Sequence, residues 1–298
     1  MGYTVTVRIT YTKGILKMTE YNDILYIVVP CYNEEAVLHE TSKRLKEKMT
    51  ALINEKKISD KSRVLFVDDG SKDKTWGIIE ELHSNDDLFS GLKLSRNKGH
   101  QNALLAGLMT AKDLADISIS MDADLQDDIN VVDQFVDKYH DGCDIVYGVR
   151  SSRKTDTVFK RGTAGMFYKF MRLLGVDIID NHADYRLISK RALEALSQFK
   201  EVNLFLRGIV KQIGFKSDIV YYERSERFAG ESKYPLKKML AFAFDGITSF
   251  SVKPIRLVTV VGFLVFLVSI AMIIYMIVQT CLGNTEAGWS SLMCSIWF

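Results

Sequence analysis

ILYIVVPCYNEE, residues 24–35, is the stretch on which the reading of this chain turns. Ile24 to Pro30 is an apolar run too short for an ordinary helix and rich in β-branched residues, so it reads as a strand buried on both faces. From Glu34 to Ile53 the apolar positions recur at helical spacing, which predicts an amphipathic helix covering that strand. The same alternation continues outward. RVLFVDDGS (63–71) is a strand ending in acids, with a helix starting near Lys74; GLKLSRN (91–97) is a short strand. GHQNALLAGLMTAKDL (99–114) is helical after a glycine turn, DISISM (116–121) is a strand, Ile129 to His140 is helical and DIVYGV (144–149) is another strand. Strands alternating with helices imply an α/β fold, a Rossmann-like and mostly parallel sheet with helices on both faces.

In such sheets ligands bind beyond the carboxyl ends of the strands. Here those ends carry Pro30 to Glu34, Asp68-Asp69, Arg96-Asn97 and the segment MDADLQDD (121–128). Asp122, Asp124, Asp127 and Asp128 repel one another and raise one another's pKa unless a cation sits among them. In a strictly extended strand Asp122 and Asp124 share one side. Hard oxygen donors of this kind suit Mg²⁺ or Mn²⁺ bridging a diphosphate. Asp127 and Asp128 read as the start of the next helix, where acids favour the positive dipole end.

The 298 residues carry a net charge of +2, which excludes a general polyanion binder, and no nucleic-acid partner is expected. The 4 cysteines show no metal-ligand spacing. No charged residue lies between Arg256 and Glu286, and LVTVVGFLVFLVSIAMIIYMIV (257–278) is long enough to cross a bilayer as a helix. Lys237, Lys238, Lys253 and Arg256 precede this span, so the positive-inside rule places residues 1–256 in the cytoplasm. WSSLMCSIWF (289–298) reads as the start of a second, truncated membrane helix. Residues 1–17 lack the apolar core of a signal peptide and are expected to be a disordered or non-native extension before Met18. SSRKTDTVFKRGTAGMFYKFMRLLG (151–175) and PLKKMLAFAFDGITSFSVKP (235–254) combine basic residues with apolar faces, as helices in a membrane interface do, with ordinary core helices as the alternative.

The segments VVPCYNEE, VDDGSKDKT, LSRNKGHQNALLAGL, MDADLQDD, YGVRSSR, ADYRLISKRAL and RFAGESKY occur in the order seen in family 2 glycosyltransferases of the GT-A fold. From about residue 24 to its end the chain resembles the polyprenyl-phosphate glycosyltransferases, most of all those acting on bactoprenol (undecaprenyl phosphate). The resemblance implies that Asp122, Asp124 and Gln126 hold the metal, with Asp122 and Ala123 also contacting the nucleotide sugar and Asp122 counted with Asp184 as catalytic. It assigns Pro30, Tyr32, Glu34, Asp68 and Asp69 to the nucleotide pocket, leaving open which aspartate meets the base. An aromatic ring can stack on uracil and a carboxylate can accept from its N3–H. Arg96 or Lys98 approaches base or phosphates, or is a solvated loop cation. Asp184 matches the acceptor-side aspartate, a catalytic base or orienting carboxylate, with Arg186 a candidate pairing partner and His182 a loop hydrogen-bonding residue. Arg150, Arg153 and Arg161 supply guanidinium forks for an acceptor phosphate, the latter two with lipid headgroups as the alternative. RFAGESKY resembles a mobile loop in which Arg227 and Lys233 neutralise the leaving diphosphate.

The resulting expectation is a membrane enzyme with a cytoplasmic transferase domain over 18–234, an interfacial helix over 235–256, a membrane helix over 257–280 and a homo-oligomeric assembly. It would move a hexose, glucose from UDP-glucose, onto undecaprenyl or another polyprenyl phosphate with inversion. A polyprenyl-phosphate mannosyltransferase using GDP-mannose is the alternative within the class, and a non-catalytic membrane scaffold the alternative outside it. A processive synthase is disfavoured because no Q-x-x-R-W motif is present.

Overall fold

The computed structural model of the chain describes residues 21–151, 182–199, 206–224 and 253–284, with a few positions between 288 and 295. They belong to two compact units. The first holds a seven-stranded sheet: β1 (Leu25–Cys31), β2 (Arg63–Asp68), β3 (Phe89–Lys93), β4 (Ile117–Ser120), β5 (Ile145–Arg150), β6 (His182–Ser189) and β7 (Ser217–Tyr222), in the order β3-β2-β1-β4-β6-β5-β7. Neighbouring strands run parallel except at β6, which is antiparallel to both β4 and β5. The mostly parallel α/β sheet is the one expected from the alternating pattern.

Helices α1 (Leu38–Asn54), α2 (Thr75–Asn85), α3 (His100–Leu114), α4 (Val132–His140) and α5 (Lys190–Leu196) accompany the sheet. α1 buries Leu38, Leu45, Met49 and Leu52, whose three-, four- and seven-residue spacing makes one apolar stripe. That stripe joins Leu25, Ile27 and Val29 of β1 and Val132 and Phe135 of α4 in one core. The intervening Val28 points to the opposite face, because side chains alternate along a strand. There α3 lies so close that a Cβ on Gly107 would stand 2.4 Å from Val28 Cγ1 and 2.7 Å from Val67 Cγ2. Glycine is what lets that helix approach the sheet.

Two sequence expectations are corrected here. α1 begins at Leu38, not at Glu34, because Asn33 to Val37 form a loop tied to the segment after β2. His182 opens strand β6 and is not a loop residue. β6 and β7 were not expected as strands at all.

The second unit contains α6 (Leu206–Gln212) and α7 (Lys253–Cys281). Within α7, Arg256–Cys281 has 26 residues, a mean hydropathy of 3.0 and 0% of its most apolar window buried. At a rise of about 1.5 Å per residue it is long enough to cross a hydrocarbon core of roughly 30 Å. The expected interfacial segments (151–175 beyond Ser151, and 235–252) lie outside the described residues.

Candidate active site

The carboxyl ends of β1 and β2 meet in two loops that hydrogen-bond to each other. Asn33 donates its backbone N–H to Ser71 Oγ (2.9 Å) and accepts from Lys72 N–H at its side-chain oxygen (2.8 Å). Glu34 N–H donates to Thr75 Oγ1 (2.9 Å), and Glu35 accepts from Lys74 N–H (2.9 Å). Asn33 has φ 53, a left-handed conformation that asparagine tolerates better than most residues. Pro30 is buried in β1, while Tyr32 and Glu34 are half-buried on this rim.

The two aspartates ending β2 do different things. Asp69 accepts from the backbone N–H groups of Lys98 (2.6 Å) and Gly99 (2.9 Å), fixing the turn into α3. Asp68 accepts from Ser71 N–H (3.0 Å) with Oδ1, and its buried Oδ2 has no partner among the described residues. Between them and the next loop, Gly70 has φ +67, and a Cβ there would lie 2.7 Å from the backbone of Arg96 and Asn97. Arg96 itself is exposed on that loop.

Beyond β4 the chain turns instead of continuing extended, so the sequence picture of Asp122 and Asp124 along one strand side does not hold. β4 ends at Ser120, Leu125 has φ 57, and Asp124 Oδ1 accepts from Gln126 N–H (3.2 Å). The buried Ala123 is anchored through its carbonyl, which accepts from Thr41 Oγ1 of α1 (2.8 Å). Asp122 keeps 38% of its side-chain surface exposed. Its pKa is raised, by desolvation first; His100 and Arg150 oppose the shift while Asp124 and Asp184 add to it.

β6 brings a distant segment into this site. Its antiparallel register sets Arg186 opposite Ser120, so Asp184 runs alongside the chain just past the end of β4. Asp184 is buried and paired with the guanidinium of Arg186, and it accepts from Gln101 Nε2 (3.2 Å). His100 Nε2, at the start of α3, stands 3.6 Å from Asp122 Oδ1 and 3.7 Å from Asp184 Oδ2. The imidazole thus lies between the two aspartates that the resemblance makes central. His100 and Gln101 stand in the sequence within LSRNKGHQNALLAGL, and nothing in their spacing reveals this position.

On the other side of the acidic loop, Asp127 and Asp128 part company. Asp128 caps the 3-10 turn at Ile129–Val131 by accepting from Asn130 N–H (2.9 Å), as expected of an acid opening a helix. Asp127 does not. It is buried, accepts from the Tyr222 hydroxyl and lies 3.4 Å from Arg150 Nη2. Burial, then the charge of Asp122, raises its pKa to about 6 against the pull of Arg150 and Tyr222. Arg150 also donates to the Tyr222 hydroxyl (3.3 Å), and Arg224, two residues past β7, donates to Gln126 Oε1. Arg153, Arg161, Arg227 and Lys233 lie outside the described residues.

No group of three His, Cys, Asp or Glu side chains forms a metal cage among the described residues. Asp122 and Asp124 instead offer a sparse set of carboxylate oxygens, while the amide oxygen of Gln126, the third position expected to hold the metal, accepts from Arg224. Such a set fits an ion like Mg²⁺, which takes one or two carboxylates and completes its shell with water and substrate phosphates.

The carboxyl edge of this α/β sheet thus gathers acids, guanidinium groups and two interlocked loops in one place. The chain belongs to glycosyl transferase family 2, whose sequence model matches residues 26–197. It is therefore a glycosyltransferase. It is 58% identical over 281 residues to an uncharacterized glycosyltransferase, YkoT, of Bacillus subtilis, covering 94% of this chain and 83% of that one. It is 39% identical over 274 residues to a prophage bactoprenol glucosyl transferase homolog of Escherichia coli (91% and 87% covered) and, equally, to the bactoprenol glucosyl transferase of Shigella phage SfV (91% and 87%). Among solved structures, a mannosyltransferase from Pyrobaculum calidifontis in complex with GDP-Man and Mn²⁺ is similar at 15% identity and a TM-score of 0.49, covering 76% of this chain and 70% of that one.

Proposed function

We propose that this protein transfers glucose from UDP-glucose to undecaprenyl or a related polyprenyl phosphate, with inversion, at the cytoplasmic face of the cell membrane. One observation carries the reading: an acidic, oxygen-rich site on the sheet edge shares its chain with a 26-residue apolar helix. The 39% identity to bactoprenol glucosyl transferases over 91% of the chain supports the same acceptor and sugar.

The chemistry is a displacement at the anomeric carbon. A phosphate oxygen of the acceptor forms the new C1–O bond while the bond to the UDP oxygen breaks, and UDP leaves with the electron pair. The acceptor phosphate is already largely ionised near neutral pH, so no strong base is required. Asp184 is accordingly an orienting carboxylate: its charge is balanced by Arg186, and Gln101 fixes its rotamer. Tyr32 and Glu34 form the rim of the nucleotide seat with Pro30, Asp68 and Arg96. Asp69 serves that seat through the 98–99 turn that it holds. Asp122, Asp124 and Gln126 would hold Mg²⁺ or Mn²⁺, which when bound neutralises charge on the departing diphosphate. Arg150 faces the acceptor phosphate from the end of β5.

Purified protein in detergent, supplied with a panel of nucleotide sugars and undecaprenyl phosphate, tests the reading by mass spectrometry of the lipid product. A glucosyl phospholipid formed from UDP-glucose is the expected result. Product from GDP-mannose alone makes the protein a mannosyltransferase, and no product from any donor makes it a scaffold.

A further inference from the structure

We infer that Arg224 and Arg150 together form a two-guanidinium clamp for a phosphate group of the reaction, with Arg224 the member that no motif assigns. β5 and β7 are adjacent and parallel, with Arg150 level with Tyr222, so both arginines leave the sheet at the same edge. Ser151 N–H and Oγ both bond the Tyr222 carbonyl (2.8 and 3.1 Å), which locks these two strand ends together. Each guanidinium is anchored on one loop, Arg150 on Asp127 and Arg224 on Gln126. A guanidinium carries five N–H donors in a rigid fork, and Arg224 uses one of them on Gln126 among the described residues.

Two guanidinium groups anchored on consecutive residues of one loop, Asp127 and Gln126, repel each other unless an anion lies between them. A phosphate bound there would relieve the repulsion and accept from both forks. Its position beside Gln126 puts the clamp where either the donor diphosphate or the acceptor phosphate arrives. The clamp rests on the proposed function for the identity of that phosphate.

The test compares the full-length wild type with Arg224→Ala and Arg224→Lys in detergent. Titration with UDP and Mn²⁺ reads the donor source, and the KM for farnesyl phosphate at saturating UDP-glucose reads the acceptor source. A tenfold or greater loss in one of the two for Arg224→Ala, partly recovered by Arg224→Lys, is expected and names the source. Arg224 is exposed, so the variants should melt like wild type. Unchanged UDP affinity together with unchanged KM in a normally folded Arg224→Ala overturns the clamp. If the wild type uses neither substrate, the proposed function is what has failed. The clamp is then read with inorganic pyrophosphate alone: weaker binding by Arg224→Ala than by wild type sustains it, and equal or no binding by the two overturns it.

Discussion

Arg186 is ion-paired with Asp184 two positions away on β6, both side chains on one face of the strand and both almost fully buried. The pairing sets each charge against its opposite inside the fold. It also makes Asp184 a structural residue, so its removal must be read on two scales.

Asp184→Asn should remove the carboxylate charge that faces the buried Arg186 and destabilise the fold by up to about 3–5 kcal/mol. It should also lower kcat while leaving the KM for the donor nearly unchanged. Pairing it with Arg186→Met should restore most of the stability, since apolar replacement of a buried pair is often neutral. Denaturation and steady-state kinetics on both variants separate the effects. Recovery of full kcat in the double variant would show that Asp184 acts only on the fold.

Chelation should abolish turnover, with Mg²⁺ or Mn²⁺ restoring it. Asp124→Ala should lose most of the rate. Asp128→Ala should retain it, because Asp128 only caps the turn into α4 and its loss costs about 1 kcal/mol. Full activity of Asp124→Ala in EDTA would remove the metal from the mechanism.

Asp127 predicts a pH signature in stability. Its carboxyl is raised from 3.8 to about 6 in the fold, so between these values the folded protein holds a proton that the unfolded chain has released. Stability from this group is therefore greatest below about pH 4 and declines as pH rises through about 6, by roughly 3 kcal/mol. Asp127→Asn should flatten that part of the profile. Chemical denaturation at pH 4, 5, 6 and 7 in EDTA reads it, and a variant profile parallel to wild type would refute the assignment.

Gly107→Ala should destabilise the protein, although alanine is the better helix former by about 1 kcal/mol. The added Cβ meets Val28 and Val67 at distances that real contacts do not reach, and overpacking of this kind costs about 1–3 kcal/mol. Val28→Ala in the same chain should recover part of the loss. A more stable single variant would mean that α3 moves away from the sheet freely.

The parts of the fold that the sequence announces are those buried on both faces. Ile24 to Pro30, Arg63 to Asp68 and Ile145 to Val149 are apolar runs with little else they can be. β6 hides because its site-facing positions are Asp184 and Arg186, whose burial depends on each other and not on hydrophobicity. A strand with charged residues inside reads as a loop. The candidate site divides in the same way. The acids of MDADLQDD stand out locally, but the difference between Asp127 and Asp128 lies in Arg150 and Tyr222, 23 and 95 residues away. His100 likewise gains its place between Asp122 and Asp184 from the register of β6 on β4, which no pattern within α3 encodes.

The stitching of Asn33, Glu34 and Glu35 to Ser71, Lys72, Lys74 and Thr75 has a thermodynamic consequence for whatever ligand settles on that rim. Ordering a flexible loop costs about 1–2 kcal/mol per residue in backbone entropy. In these two loops that freedom is surrendered when the sheet folds, because each loop supplies the other's hydrogen-bond partners. A ligand arriving there meets a mould that has already set, and its contacts are not spent on freezing the chain. Cutting a single stitch, such as Asn33 Oδ1 to Lys72, would loosen both loops at once, because each holds one end of it.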